Sequence, residues 1–335
     1  MHWWEITIKL RSGLGTPLAN HTIWGHLCWG IRYHEGEDAL NTFLAQCNAG
    51  NPPIILSDAM PVKRVETDTF FVPRPNLPAP LRPLEDPGNE RADTQKKCKK
   101  TQWVTESSWN EISASLSIES LDSILNHVAP PSLQKATVMH ASINRMTGTT
   151  QGEDKTGALF DQEQWYADEK QNKFRIIAFS DEDTNQARVS QLIEWAFEGG
   201  YGRDASSGLG TFDVVSITPH EKPHVENSNC VMLLGSAVPS SKDPVQGFFS
   251  WGLHAGRVGG TFANSELPNG SKQRAKRPVH ILQRGTILKT DKPTDWIGRC
   301  VSGVHEYEPI RHGGFAPCLP CKLNDETMRL VEGTA

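Results

Sequence analysis

GGYGRDASSGLGTF, residues 199–212, gathers five glycines around Arg203, Ser206 and Ser207 and joins two segments of different period. Before it, residues 184–199 read TNQARVSQLIEWAFEG and carry Val189, Leu192, Ile193, Ala196 and Phe197 on one helical face. After it, TFDVVSI reads as a strand, and upstream KFRIIAF (173–179) reads as another. Glycines allow positive φ and close backbone approach, so the loop is expected to leave amides free for phosphate oxygens. The same glycines also suit a tight helix-to-strand connection; an arginine and two serines among them favour polyanion contact. Helix, loop, strand is the reverse of a Rossmann or P-loop site, and no GxxxxGK[ST] occurs, which disfavours a mononucleotide site there.

The N-terminal part has a similar order. Residues 3–10 alternate with Trp4, Ile6, Ile8 and Leu10 on one side, as a half-buried strand does. From Thr22, residues Ile23, Trp24, Leu27, Cys28 and Ile31 recur at helical spacing, with Asn20 or His21 at the cap. Ala39, Leu40, Phe43, Leu44 and Cys47 predict a second helix ending at Gly50, and IILSDAM (54–60) a short strand. Further strands are expected at NCVMLLG (229–235) and PVHILQRGTIL (278–288), the latter broken at Gly285. The expectation is an α+β chain of two ferredoxin-like (RRM-like) domains with inserted loops and a glycine-rich loop. The domains would span 1–165, with an insertion at about 73–130, and 166–335, with the loop at 199–210.

Composition bounds the function. The 335 residues include 28 Gly and 22 Pro and carry a net charge of -5, so any polyanion must be met by local basic patches. No stretch has the roughly 18 uncharged apolar residues a membrane helix needs, and no membrane partner is expected. Glu5, Lys9 and Arg11 stand where a secretory signal would be apolar, and seven cysteines are irregularly spaced, which suits reduced thiols in the cytoplasm. Cys318 and Cys321 form a CxxC that binds zinc only if the fold brings close two more ligands from Cys300, His305 and His312; Pro317 and Pro320 equally suit an ordered tail with buried thiols. No metal or cofactor is expected.

Four segments offer binding chemistry. Six prolines between Pro73 and Pro87 form an extended excursion leading to KKCKKTQW (96–103), where Lys99, Lys100 and Trp103 suit an RNA backbone and a stacked base, or simply a solvated surface insertion. SINRMTGTTQGEDKTGALF (142–160) sets Asn144, Arg145 and Thr147 before Gly148, on a turn able to grip a phosphate or base edge, although an ordinary hairpin reads the same way. Residues 272–289 contain Lys272, Arg274, Lys276, Arg277, Arg284 and Lys289 and no acid, a local basic patch. The fourth is the glycine-rich loop, with Arg203, Ser206, Ser207 and Gly208. Catalytic signals are thin: GxSxG and HExxH are absent, and His21, His26 and His34 share only a helical region.

TPLANHTIWGHLCWG (16–30), ILSDAMP (55–61), RPNLPAPL (74–81) with its lysine run, INRMTG (143–148) with GALF (157–160), and GRDASSGLGTF (202–212) occur in that order, and YEPIRHGGFAPCLP (307–320) closes the series. In this order the chain resembles the RAMP-superfamily subunit that caps the crRNA 5′ tag in type III-A CRISPR Csm effector complexes. The resemblance implies two ferredoxin-like domains, no nuclease activity, and partners in the crRNA tag, the large polymerase-like signature subunit and an adjacent backbone RAMP subunit. Asn20, His21 and Thr22 would open a helix facing the RNA, Arg145 and Thr147 would match a tag-contacting motif, and Arg203, Ser206 and Ser207 would fall in the glycine-rich loop. Arg274 and Arg277 are further RNA-binding candidates from the basic patch. His21 departs from the acidic residue common at its position. The alternative is a RAMP endoribonuclease that processes repeat RNA with His21 or His26 as general acid/base.

Overall fold

The computed structural model describes residues 1–64, 66–78, 100–125, 129–141, 143, 148–150, 159–263, 265–292 and 294–333. Lys99, Asn144, Arg145 and Thr147 lie outside these residues. The chain begins with β1 (His2–Leu10), α1 (Asn20–Glu35), α2 (Glu37–Asn48), β2 (Ile54–Leu56), β3 (Met60–Arg64), β4 (Asp68–Pro73) and β5 (Trp103–Thr105). It continues with α3 (Glu106–Ile112), α4 (Ile118–Ile124), β6 (Gln134–Ala141), β7 (Leu159–Tyr166), β8 (Lys173–Ser180), α5 (Gln186–Glu198) and β9 (Phe212–Pro219). The remainder is β10 (Cys230–Leu233), β11 (Gly247–Phe248), β12 (Trp251–His254), β13 (Val279–Leu282), β14 (Ile287–Lys289), β15 (Trp296–Val301), β16 (His312–Cys321) and α6 (Asp325–Glu332).

The first sheet runs β5-β4-β3-β8-β1-β9, with β2 also pairing β8. Within it β9-β1-β8-β3 is antiparallel throughout, Ile6 standing opposite Ile176 on one side and Ile217 on the other. With α1 after β1 and α5 between β8 and β9, this is one βαββαβ unit of the ferredoxin-like type. Its helices meet through Ile23, Leu27 and Ile31 of α1 and Val189, Leu192 and Ile193 of α5, all buried. Burying such a side chain contributes about 1.5–3 kcal/mol. Gly30 brings the two backbones together, since a Cβ there would stand 2.6 Å from Trp195 Cβ.

Three expectations need correction. The boundary at 165/166 separates strands of one sheet, because β8 and β9 both pair with β1. The C-terminal part is an antiparallel sheet, β11-β14-β10-β16-β15, and among the described residues no α-helix stands between its strands, so it lacks the helices of a second ferredoxin-like unit. The two parts also share one core, in which Ile6 and Leu27 are joined with Met232, Phe315 and Leu323. IILSDAM, read as one strand, breaks at Ser57–Ala59, and the break is what receives α1 (below). Gly285 does break its strand, at φ 79°; β13 pairs with β12 while β14 joins the five-stranded sheet.

The fold separates the two thiols of the CxxC. Cys318 and Cys321 are three residues apart on β16, and odd spacing sends strand side chains to opposite faces. Cys318 packs with Val231, Leu288 and Ile297, whereas Cys321 belongs to the main core opposite Cys230. Burial pushes both thiols up.

Candidate nucleic-acid interface

The glycine-rich loop rests on residues 13–17, the segment that enters α1. Gly210 N donates to Gly13 O at 2.7 Å and Arg203 N to Thr16 Oγ1 at 2.9 Å. Tyr201 is fully buried and fastens the start of α1, donating from its hydroxyl to Pro17 O at 2.6 Å and accepting from Ala19 N at 3.1 Å. Gly202 N donates to His26 Nε2 at 3.0 Å, which places the His26 proton on Nδ1. The glycines are needed here: Gly202 has φ 75° and a Cβ on it would lie 2.6 Å from Thr16 Cβ, while on Gly210 it would lie 2.1 Å from Tyr201 O.

This packing narrows the expected cradle of free amides. Tyr201, Gly202, Arg203, Ser207, Gly208, Leu209 and Gly210 all donate their backbone N–H within the protein, because the loop closes on itself through a short turn at Ala205–Ser207. What it offers to solvent is the exposed Arg203, Ser206, Ser207 and Gly208. Arg203 is braced by Glu163 O on β7, 2.6 Å from Nη2, and by Asp204.

Asn20 is also corrected. It is 2% exposed, and its side chain donates to Ser236 O at 2.9 Å and Phe315 O at 2.7 Å and accepts from Ser236 N at 3.1 Å. All its polar atoms are used to stitch α1 to the C-terminal sheet. Its N–H donates to Asp58 Oδ1, and Asp58 also meets Arg284 Nη1 at 3.0 Å. The cap position is taken by Ala19, one residue before the expected one.

The basic patch is divided by the fold. Arg284 is paired with Asp58 and lies over the Trp103 ring at 4.6 Å, and Lys289 reaches Glu332. The Arg284 guanidinium therefore covers one face of the half-buried Trp103, the residue expected to stack on a base. Arg277 and Lys100 are exposed, Arg277 donating to Gly303 O; Arg274 is half-buried with Nη1 unpartnered.

A group that sequence spacing does not signal stands beside the first turn of α1. The His21 ring lies 4.0 Å from that of His254 and 5.5 Å from that of His312, and His254 and His312 are 5.4 Å apart. Burial, followed by the neighbouring rings, holds His21 well below the usual histidine range; burial and then Lys276 lower His312 to about 3. Burial and then Lys276 also lower His254, and burial alone brings His26 to about 4. All four rings are neutral at pH 7. His21 and Thr22 are half-buried, so of the three residues expected to open the helix these two retain contact with solvent.

No family model and no curated protein matches the chain. Solved structures do. The fold is similar to that of a chain in the crystal structure of a Csm1-Csm4 cassette with AMPPNP: TM-score 0.54, 16% identity, covering 96% of this chain and 99% of that one. It is similar over the same shares to a chain of the Csm3-Csm4 subcomplex of a type III-A CRISPR-Cas interference complex, with TM-score 0.53 and 16% identity. In the cassette bound to cA4 the score is 0.55 at 15% identity. Csm4 is the component these assemblies have in common, and the fold is Csm4-like.

Proposed function

We propose that the chain is a non-catalytic RNA-binding subunit of a type III-A CRISPR effector complex, located in the cytoplasm, which caps the crRNA 5′ tag. In that role it joins the large polymerase-like subunit to the adjacent backbone RAMP subunit. The carrying observation is a Csm4-like fold over 96% of the chain, whose exposed Arg203, Ser206 and Ser207 stand where the glycine-rich loop meets the entry to α1. A single strand held by arginines and hydroxyls with unstacked bases is the mode such a surface supports.

The endoribonuclease reading draws on the His21, His254 and His312 group, since paired histidines can move protons in phosphodiester transfer. The electrostatics favour the non-catalytic reading: burial keeps the three rings neutral, so no imidazolium is at hand as general acid near pH 7. His26 has committed Nε2 to Gly202 N. The test is incubation of the purified chain with unprocessed repeat RNA in a chelator. Binding without cleavage is expected; cleavage that disappears in His21→Ala would overturn the proposal.

A further inference from the structure

One stripe of α1 carries His21, Gly25, Cys28 and Arg32, spaced four, three and four residues apart. Its N-terminal end is the histidine group. His21 Nδ1 and His312 Nε2 are buried with no hydrogen-bond partner among the described residues, and His312 is 3% exposed. Buried ring nitrogens without partners are costly unless something else satisfies them. Its C-terminal end is the floor of a cavity of about 110 Å³, walled by Trp29, Phe262 and Tyr307. Arg32, Lys276 and Arg311 line the same cavity, with Arg32 lying over the Trp29 and Phe262 rings at 5.3 and 4.9 Å. From His21 to Cys28 is about 10 Å along the helix, at 1.5 Å per residue.

Lys276 links the two ends. It lines the cavity, is near enough to His21, His254 and His312 to act on all three, and donates to Arg311 O at 2.8 Å. No carboxylate is among the groups acting on these rings, and Glu37 at the cavity wall is paired with Arg32 at 3.2 Å. An ammonium beside the histidines repels a metal cation and attracts an oxyanion. Donors for a phosphate at one end and aromatic walls for a flat ring at the other are the two halves of a nucleotide. The cavity opens to solvent between aromatic walls, so a single-ring base can enter in part and stack there.

We infer that this groove of α1 is a nucleotide subsite for single-stranded RNA, with the phosphate at His21, His254, His312 and Lys276 and a base among Trp29, Phe262 and Tyr307. The inference rests on the RNA-binding reading above and extends it from the glycine-rich loop, which packs at the entry to α1, along the stripe to the cavity at its C-terminal end.

Gly25 provides the test. It lines the cavity, and a Cβ built on it meets nothing within 4 Å, so the side chain of Gly25→Leu enters open groove while the substitution removes a helix-interior glycine. The readout is binding of a fluorescent single-stranded RNA octamer to the full chain across a salt series, with melting temperatures alongside. Gly25→Leu is expected to melt at or above the wild-type temperature and to bind RNA on the order of tenfold more weakly with an unchanged salt slope. Lys276→Gln, which removes the cation of the phosphate end, is expected to lower the slope by about 0.7, one phosphate contact. Wild-type binding that neither variant alters overturns the subsite and leaves the RNA-binding reading standing; no binding by the wild-type chain overturns both. ATP binding blocked by Gly25→Leu, with RNA binding untouched, would overturn the assignment to RNA in favour of a free nucleotide.

Discussion

At the scale of single residues, buried polar groups decide how α1 is held. Asn20 satisfies two carbonyls and one amide of the C-terminal sheet, so Asn20→Ala leaves them unpaired in the core. A loss of about 1–3 kcal/mol of stability is expected by urea denaturation; an unchanged midpoint would remove Asn20 from this role. His26 has a pH consequence. Its folded value, about 4, lies below the unfolded value near 6.5, so the unfolded chain binds more protons as pH falls. Its contribution is complete above the unfolded value and is lost as pH falls through the folded one, about 3 kcal/mol in all. Gln accepts from Gly202 N without titrating, so His26→Gln is expected to reduce the stability lost between pH 7 and pH 4.5 by about 2 kcal/mol. A pH profile identical to wild type would contradict the neutral, buried ring. None of this was legible in the sequence: His21, His254 and His312 are separated by most of the chain, and only the fold brings them together.

At the scale of elements, the parts with strong hydrophobic period were legible and the parts without it were not. β1, α1, α2, β8, α5 and β9 fall where their apolar residues predicted, because each contributes buried side chains to one shared core. α4 is held at its start by Ser117, whose hydroxyl accepts from Ser120 N. The hairpin β6–β7 carries no alternating apolar face because most of its residues are exposed on both sides, so only its turn had a signature. β16 lies between β10 and β15 despite Pro317 and Pro320, and Trp24 of α1 packs onto its Gly313, where a Cβ would stand 2.4 Å from the ring. The same logic tests the α1–α5 crossing. Gly30→Ala is expected to destabilise by about 1–3 kcal/mol through overpacking against Trp195, despite alanine's better helix propensity. Stabilisation by that substitution would show that the two helices are less tightly joined.

At the scale of the molecule, the net charge of -5 is an average over unlike parts, and the fold has rearranged the expected patches. Arg284 and Lys289 are spent on Asp58 and Glu332, Lys276 is drawn into the α1 groove, and Arg203, Arg277 and Lys100 remain at the surface. The division into two ferredoxin-like domains was half legible: the βαββαβ order of the first unit follows from its periods, whereas the C-terminal sheet and the continuous core depend on contacts between distant segments. The central claim is that this Csm4-like chain caps guide RNA within an effector complex. Its most direct test is to purify the chain with the products of its neighbouring genes and sequence the RNA that accompanies them. The account predicts stoichiometric RNA whose members share one fixed 5′ tag, protected by this subunit. Assembly with the neighbours without RNA, or RNA of unrelated 5′ ends, would contradict it.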